Sequence, residues 1–209
     1  MEMPVFTIRG KNHRERGVDY GVQCKELIQG VLERYIRFFN GGHTAVSWDE
    51  AKVISKEFLP FIHSYSPELL DELEGIAQGA DVEFADLLTL NSRSEAMTLV
   101  RRPPSDKEEL DGCSSVAVLP DASANGHTIL AQNWDTYTWQ EYGTVILQIL
   151  RDDGPDLMIV TEAGQLARYG MNQAGIALGV NSLQKTYNPE VFGIPGACFR
   201  GIGFGAFFE

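Results

Sequence analysis

The junction with the most chemical potential in this chain is Asp111-Gly112-Cys113, followed directly by Ser114 and Ser115. A thiol attacks a carbonyl as its thiolate, and an ordinary cysteine titrates near 8.5, so a nucleophilic cysteine needs a base or a depressed pKa. Histidine is the usual base. His13, His43, His63 and His127 show no pairing with an Asn or Asp motif of the cysteine-protease kind, and three of them precede Cys113. Cleavage before Cys113 would supply a different base, because the new α-amino group has an unperturbed pKa of about 7.7 to 8.0 and sits on the nucleophile itself. The same thiol could make the cut: attack of Sγ on the Gly112 carbonyl gives a thioester that water hydrolyses, and glycine has no side chain to crowd that carbonyl. Asp-Gly is equally a turn dipeptide, and a lone cysteine opening a strand is often a buried small hydrophobe. The tripeptide alone leaves both readings open.

The elements that would position this junction divide at the junction itself. Before it, Val5-Phe6-Thr7-Ile8 reads as a strand, and Cys24, Leu27, Ile28, Val31, Tyr35 and Phe38 recur at helical spacing up to Asn40-Gly41-Gly42. Ser47 and Glu50 have capping-box spacing ahead of a helix through Ala51, Ile54, Phe58 and Ile62. Ser66-Pro67 opens another with Leu69, Leu70, Leu73 and Ile76, with Gly79 as its stop, and a further helix covers Glu83 to Met97. The charged, proline-containing run Arg101 to Glu109 reads as an exposed loop. From Cys113 onward the pattern is β-rich: Ser114 to Leu119, Thr128 to Asn133, Thr144 to Leu150, Leu157 to Thr161 and Ile176 to Asn181. Turn signals at Asp121 to Gly126, Asp152 to Pro155 and Asn172 to Gly175 separate these runs. A helical half followed by strands predicts an α+β fold in which helices cover a mostly antiparallel sheet or pair of sheets.

Composition narrows the functional classes. At 209 residues the expectation is one compact domain, and a net charge of −12 argues against nucleic-acid binding, which needs a basic surface. No apolar run reaches the roughly 18 residues of a bilayer span, and Met1 to Gly10 lacks a signal-peptide pattern, so no membrane association is expected. The scattered cysteines Cys24, Cys113 and Cys198 suggest no disulfide framework and a reducing, cytoplasmic compartment; Cys24, on an apolar helix face, reads as core. No His-x-x-His or Cys-x-x-Cys spacing would build a metal site, and Gly201-x-Gly203-x-Gly205 lacks the dinucleotide fingerprint.

Several stretches together resemble the acyl-coenzyme A:6-aminopenicillanic acid acyltransferase family, the C45 peptidases. Gly17-Val18-Asp19-Tyr20-Gly21 resembles its early glycine-containing helix start, Leu90-Asn91-Ser92-Arg93-Ser94-Glu95 its Asn-x-Arg-x-Glu segment, and Asp111-Gly112-Cys113-Ser114-Ser115 its cleavage site. The similarity continues through Gln132-Asn133-Trp134-Asp135, Thr161-Glu162-Ala163-Gly164, Gly170 to Gly175 and Asn181, as far as about Pro195. Gly-Cys followed some 20 residues later by Asn-Trp-Asp is its most specific part.

The resemblance implies an N-terminal-nucleophile (Ntn) hydrolase αββα sandwich, made as a precursor and cleaved between Gly112 and Cys113. Residues 1–112 would be the helical α chain and residues 113–209 the β-rich nucleophile part, the two fragments staying together as one domain. Cys113 would accept an acyl group from a small-molecule amide or acyl donor as a thioester and pass it to water or an amine. No cofactor is implied, with acyl-coenzyme A as a candidate co-substrate. Asp135 would bind a cationic or amine-bearing part of the substrate, with Asn133 orienting neighbouring backbone. The Asn91 to Glu95 segment reads as a buried polar tie between layers, Asn91 and Glu95 sharing a helix face. The family's later asparagine and arginine beside the nucleophile have no counterpart here, and the residues from Gly196 onward depart from its pattern. The sequence therefore predicts a sandwich incomplete at its C-terminus, with a catalytically inactive fragment or pseudoenzyme as the alternative.

Overall fold

The computed structural model describes residues 3–99 and 113–181. Its order is β1 (Val5–Ile8), α1 (His13–Gln23), α2 (Lys25–Phe38), α3 (Trp48–Lys56), α4 (Leu59–Tyr65), α5 (Glu68–Ala80) and α6 (Phe84–Leu99). The strands β2 (Ser114–Val118), β3 (Ile129–Asn133), β4 (Thr144–Ile149), β5 (Leu157–Glu162), β6 (Tyr169–Asn172) and β7 (Ala177–Leu178) follow. The class is α+β, as the residue pattern predicts. Gly112, the Arg101 to Glu109 loop, Cys198 and the Gly196 to Glu209 stretch lie outside the described residues.

The helical half differs from the sequence reading in three places, each with a local cause. A separate helix, α1, precedes α2, opened by Asn12, whose side chain accepts from the Glu15 N–H. The Ser47 capping box forms as predicted, but the helix behind it breaks near Glu57 and Phe58. Pro60, at the start of α4, has no N–H to continue the ladder. Gly79 does not stop α5. That helix runs on to Ala80 and ends at Asp81, which takes the left-handed conformation with φ 56°. Gly79 serves packing instead: with Gly75 on α5 it faces Gly17 and Gly21 on α1, and a Cβ at any of the four would strike backbone of the opposing helix. Four glycines in two i, i+4 pairs let these helices touch main chain to main chain.

The larger sheet has the order β1-β4-β5-β6-β7, parallel at β1/β4 and antiparallel elsewhere. β1 thus carries the start of the helical half into the sheet of the β-rich half. Alternation on β4 and β5 turns Val145, Leu147, Ile149, Leu157, Ile159 and Thr161 inward, into one core with Ile28, Val31, Leu73, Ile76, Leu87 and Leu90 of the helices. Cys24 is buried in this core, as its helix face predicts, and burial pushes its thiol up to about 12. β6, which the turn-like sequence around Asn172 conceals, pairs with β5 from Tyr169 to Asn172.

A second sheet consists of the antiparallel pair β2 and β3, in register from Ser114↔Asn133 to Val118↔Ile129. Of the predicted strand at Ile176 to Asn181, only Ala177–Leu178 enters a ladder. Val180 is held by a side chain instead. Its N–H donates to Gln132 Oε1 at 2.8 Å, Gln132 Nε2 donates to its carbonyl, and Ser115 Oγ bonds Asn181 Oδ1 at 2.8 Å. These contacts fix the small sheet, and Cys113 at its start, against the end of the large one.

Candidate active site

Cys113 immediately precedes β2, and Asp135 lies two residues beyond the end of β3 on the neighbouring strand. Antiparallel pairing of Ser114 with Asn133 therefore sets the two side by side. The Cys113 thiol, partly exposed, donates to the Asp135 backbone carbonyl at 3.8 Å. The Asp135 carboxylate accepts from Asn133 Nδ2 at 2.7 Å, so Asn133 holds the aspartate side chain itself. Cys113 and Asp135 line one cleft of about 380 Å³ together with Trp134, Thr136 and Arg168. Three predicted site residues are thus brought together, two in the cleft wall and Asn133 behind one of them. The fourth, Gly112, falls outside the described residues.

The wall on the helical side is aromatic. Tyr35 and Phe38 of α2 meet Tyr137 and Trp139, which belong to the turn after Asp135 and the short 3-10 segment Thr138–Gly143 that follows it. Tyr35 and Trp139 pack edge to face at 4.9 Å, while Phe38 lies 5.2 Å from Tyr137 and 5.6 Å from Trp139. All four histidines are among the described residues, and none lines the cleft.

Below the cleft lies a polar centre that sequence reasoning locates only in part. Glu162, at the end of β5, has 1% of its side chain exposed and sits opposite Arg93 of α6, with 5% exposed. Its Oε1 accepts from Arg93 Nη2 at 3.2 Å, Arg168 Nη1 at 3.0 Å and Gln140 Nε2 at 3.0 Å, while its Oε2 accepts from Tyr35 at 2.6 Å. Burial pushes the Tyr35 hydroxyl well above its ordinary range, so it remains a protonated donor. Every charge here is met by hydrogen bonds, which such a buried position requires. The expected polar tie exists, with different partners. Asn91 donates to the Gly164 carbonyl and accepts from the Leu166 N–H, both at 2.9 Å, rather than bonding Glu95, and Arg93 reaches Glu162.

The centre also steadies the turn beside Cys113. The Arg168 guanidinium carbon lies over the Trp134 ring at 4.1 Å from its centroid, and Tyr169 packs edge to face with the same ring at 5.6 Å. Gln140 Oε1 takes hydrogen bonds from the Thr136 hydroxyl and the Tyr137 N–H. Trp134 through Tyr137 is therefore clamped from both ends. The sequence signal for Glu162 is a carboxylate closing an otherwise apolar strand just before Ala-Gly. Arg168 and Gln140 carry no such signal.

No protein-family model matches the chain. Among curated proteins it is 30% identical over 170 residues to the acyl-coenzyme A:6-aminopenicillanic-acid-acyltransferase 40 kDa form of Emericella nidulans, covering 79% of this chain and 44% of that protein. It is 27% identical over 199 residues to a beta-alanyl-dopamine/carcinine hydrolase of Drosophila melanogaster, covering 87% of this chain and 49% of that one. The chain spans about half the length of these curated relatives. Over that span the chain belongs to the acyl-coenzyme A:6-aminopenicillanic acid acyltransferase family.

Proposed function

We propose that this chain belongs to a self-processing cysteine amidohydrolase or acyltransferase of the C45 type, with Cys113 as both agent of cleavage and catalytic nucleophile. In maturation Sγ attacks the Gly112 carbonyl carbon, the C–N bond to Cys113 breaks as the nitrogen takes a proton, and water then hydrolyses the thioester. The products are a carboxylate at Gly112 and a free α-amine at Cys113. In turnover that amine takes the thiol proton, Sγ attacks the substrate carbonyl, and the amine half leaves protonated. The acyl thioester then passes to water or to an acceptor amine.

The observation that carries this reading is a cysteine at the start of a strand, with its thiol in a cleft that no histidine lines. The only base such a thiol could bring with it is its own α-amine. Two relatives named as an acyltransferase and a hydrolase support the reaction class. Asp135, oriented by Asn133, supplies an anionic contact for an amine-bearing part of the substrate. Acyl-coenzyme A is a co-substrate where transfer rather than hydrolysis is the outcome.

The finer fold belongs to the same proposal: an Ntn αββα sandwich, with residues 1–112 and 113–209 as α and β parts of one domain that stay associated after the cut. Helices on one face of the large sheet, and a second sheet that begins at the nucleophile, support it. Among the described residues no helix is long and apolar enough to cross a membrane. The free thiols of Cys24 and Cys113 fit a reducing, cytoplasmic setting.

Denaturing intact mass spectrometry of the purified protein beside Cys113→Ala tests the proposal without any substrate. Two fragments meeting at Gly112 and Cys113, absent from the variant, are expected. An intact chain in both samples overturns self-processing.

A further inference from the structure

The ladder between β6 and β7 ends at Leu178, and the residues that follow are held by two side chains of the small sheet. Ser115 and Gln132 pair across β2 and β3, so their side chains rise on one face. Gln132 gives Val180 both partners of a missing strand: its Oε1 accepts the Val180 N–H at 2.8 Å, and its Nε2 donates to the Val180 carbonyl. Ser115 Oγ donates to Asn181 Oδ1 at 2.8 Å. Gly179 lies so close that a Cβ there would come within 3.0 Å of Gln132 Oε1 and 3.3 Å of Ser115 Oγ. Cys113 precedes Ser115 by two residues, a span of at most about 7 Å in extended chain. Val180 and Asn181 accordingly line the cleft that holds the thiol.

We infer that Gln132 is a positioning residue of this cleft: through its grip on Val180 it holds residues 179–181 as a wall beside Cys113 and so limits the bulk of the group that reaches the thiol. That this wall shapes an active site rests on the proposed function; the wall itself rests on the hydrogen bonds and the cleft lining. A primary amide of this length meets one N–H and one carbonyl together. Methionine fills the same space with neither group, and an ionised glutamate would set a carboxylate against the Val180 carbonyl.

Maleimides of different bulk read the wall without amidase turnover. N-methylmaleimide and N-cyclohexylmaleimide share the reactive ring and carry no charge, and peptide mass spectrometry separates labelling of Cys113 from that of Cys24 and Cys198. The ratio of the cyclohexyl rate to the methyl rate at Cys113 is expected to rise about threefold to tenfold in Gln132→Met, the shift in a local open–closed equilibrium when about one net hydrogen bond is lost. Gly179→Ala, which displaces the segment while leaving Gln132 in place, should move the ratio in the same direction. In Gln132→Glu the ratio should be high near pH 7 and return towards that of the unmodified protein as pH falls to about 4.5, because protonation restores a donor for the Val180 carbonyl. Glu95 and Asp135 of the cleft are common to both proteins, so the two are compared at each pH. A ratio unmoved in folded Gln132→Met overturns the inference. Where that variant does not fold, a ratio unmoved in Gly179→Ala, or one without pH response in Gln132→Glu, overturns it. A ratio that moves in protein that never self-cleaves supports the positioning role while counting against the proposed reaction. Efficient self-cleavage with an unmoved ratio rejects the positioning role alone.

Discussion

Glu162→Gln is the sharpest perturbation of the centre beneath the cleft. The carboxylate receives four hydrogen bonds, two of them from guanidinium groups, and is 1% exposed. Glutamine fits the same space but removes the charge and turns one acceptor oxygen into an NH₂ donor. With three donors on Oε1, the amide must keep its oxygen there and place its NH₂ against Tyr35, whose hydroxyl has to turn from donor to acceptor. Arg93 then loses its buried ion-pair partner. Removing one partner of a buried ion pair costs about 3–5 kcal/mol. For a chain of 209 residues, at about 2–4 °C per kcal/mol, the melting temperature should fall by about 6–20 °C. Thermal unfolding followed by circular dichroism measures the drop, with Glu162→Met/Arg93→Met as the companion. Removing both of these charges in favour of apolar groups of similar length should recover part of the loss, Arg168 losing its partner but keeping 16% of its side chain exposed to water. A fall of only a degree or two in Glu162→Gln would refute the argument, since it would mean that water already reaches the pair. A double variant no better than Glu162→Gln would show that the hydrogen-bond pattern, rather than the unpaired charge, sets the cost.

Two further outcomes follow from residues away from the cleft. Burial alone would raise Asp153, yet hydrogen bonds from Arg16 and Arg151 hold it down at about 2. Its folded value thus lies below the ordinary carboxylate value of about 3.9, so its contribution to stability is complete above that pH and lost as pH falls towards 2. The deficit of Asp153→Asn in urea unfolding should accordingly be constant near neutrality and narrow between about pH 4 and pH 2; a deficit independent of pH contradicts the pairing. On α5, a Cβ at Gly79 would strike the Val18 carbonyl of α1, so Gly79→Ala should lower stability by about 1–3 kcal/mol despite alanine's better helix propensity. An unchanged or raised melting temperature would mean that the two backbones are not in contact.

Patterns that act over a few residues were legible without the fold. The apolar period of α2, the Ser47 capping box, the turn glycines Gly126 and Gly175 and the runs that became β2 to β5 all express local sterics and hydrogen bonding. The pairing of Cys113 with Asp135 was readable too, through a family likeness in which both residues sit at fixed spacing. Local rules misled where a neighbour across the fold decided the matter. Gly79 reads as a helix stop until α1 lies against it, and Asn172 reads as the start of a turn until β5 pairs with it. Gln132, an unremarkable strand residue, takes the place of a ladder partner for Val180 only once two sheets meet. The sequence by itself determined the residue types available for chemistry: one thiol after a glycine, an Asn-Trp-Asp turn, and no histidine arranged to serve as base. Only the tertiary structure decided that Glu162, Arg93, Arg168, Gln140 and Tyr35 would meet beneath that thiol. The hydrogen bonds that join them span up to 127 residues, and no short-range pattern can encode a meeting that exists only when helix and sheet exclude water together.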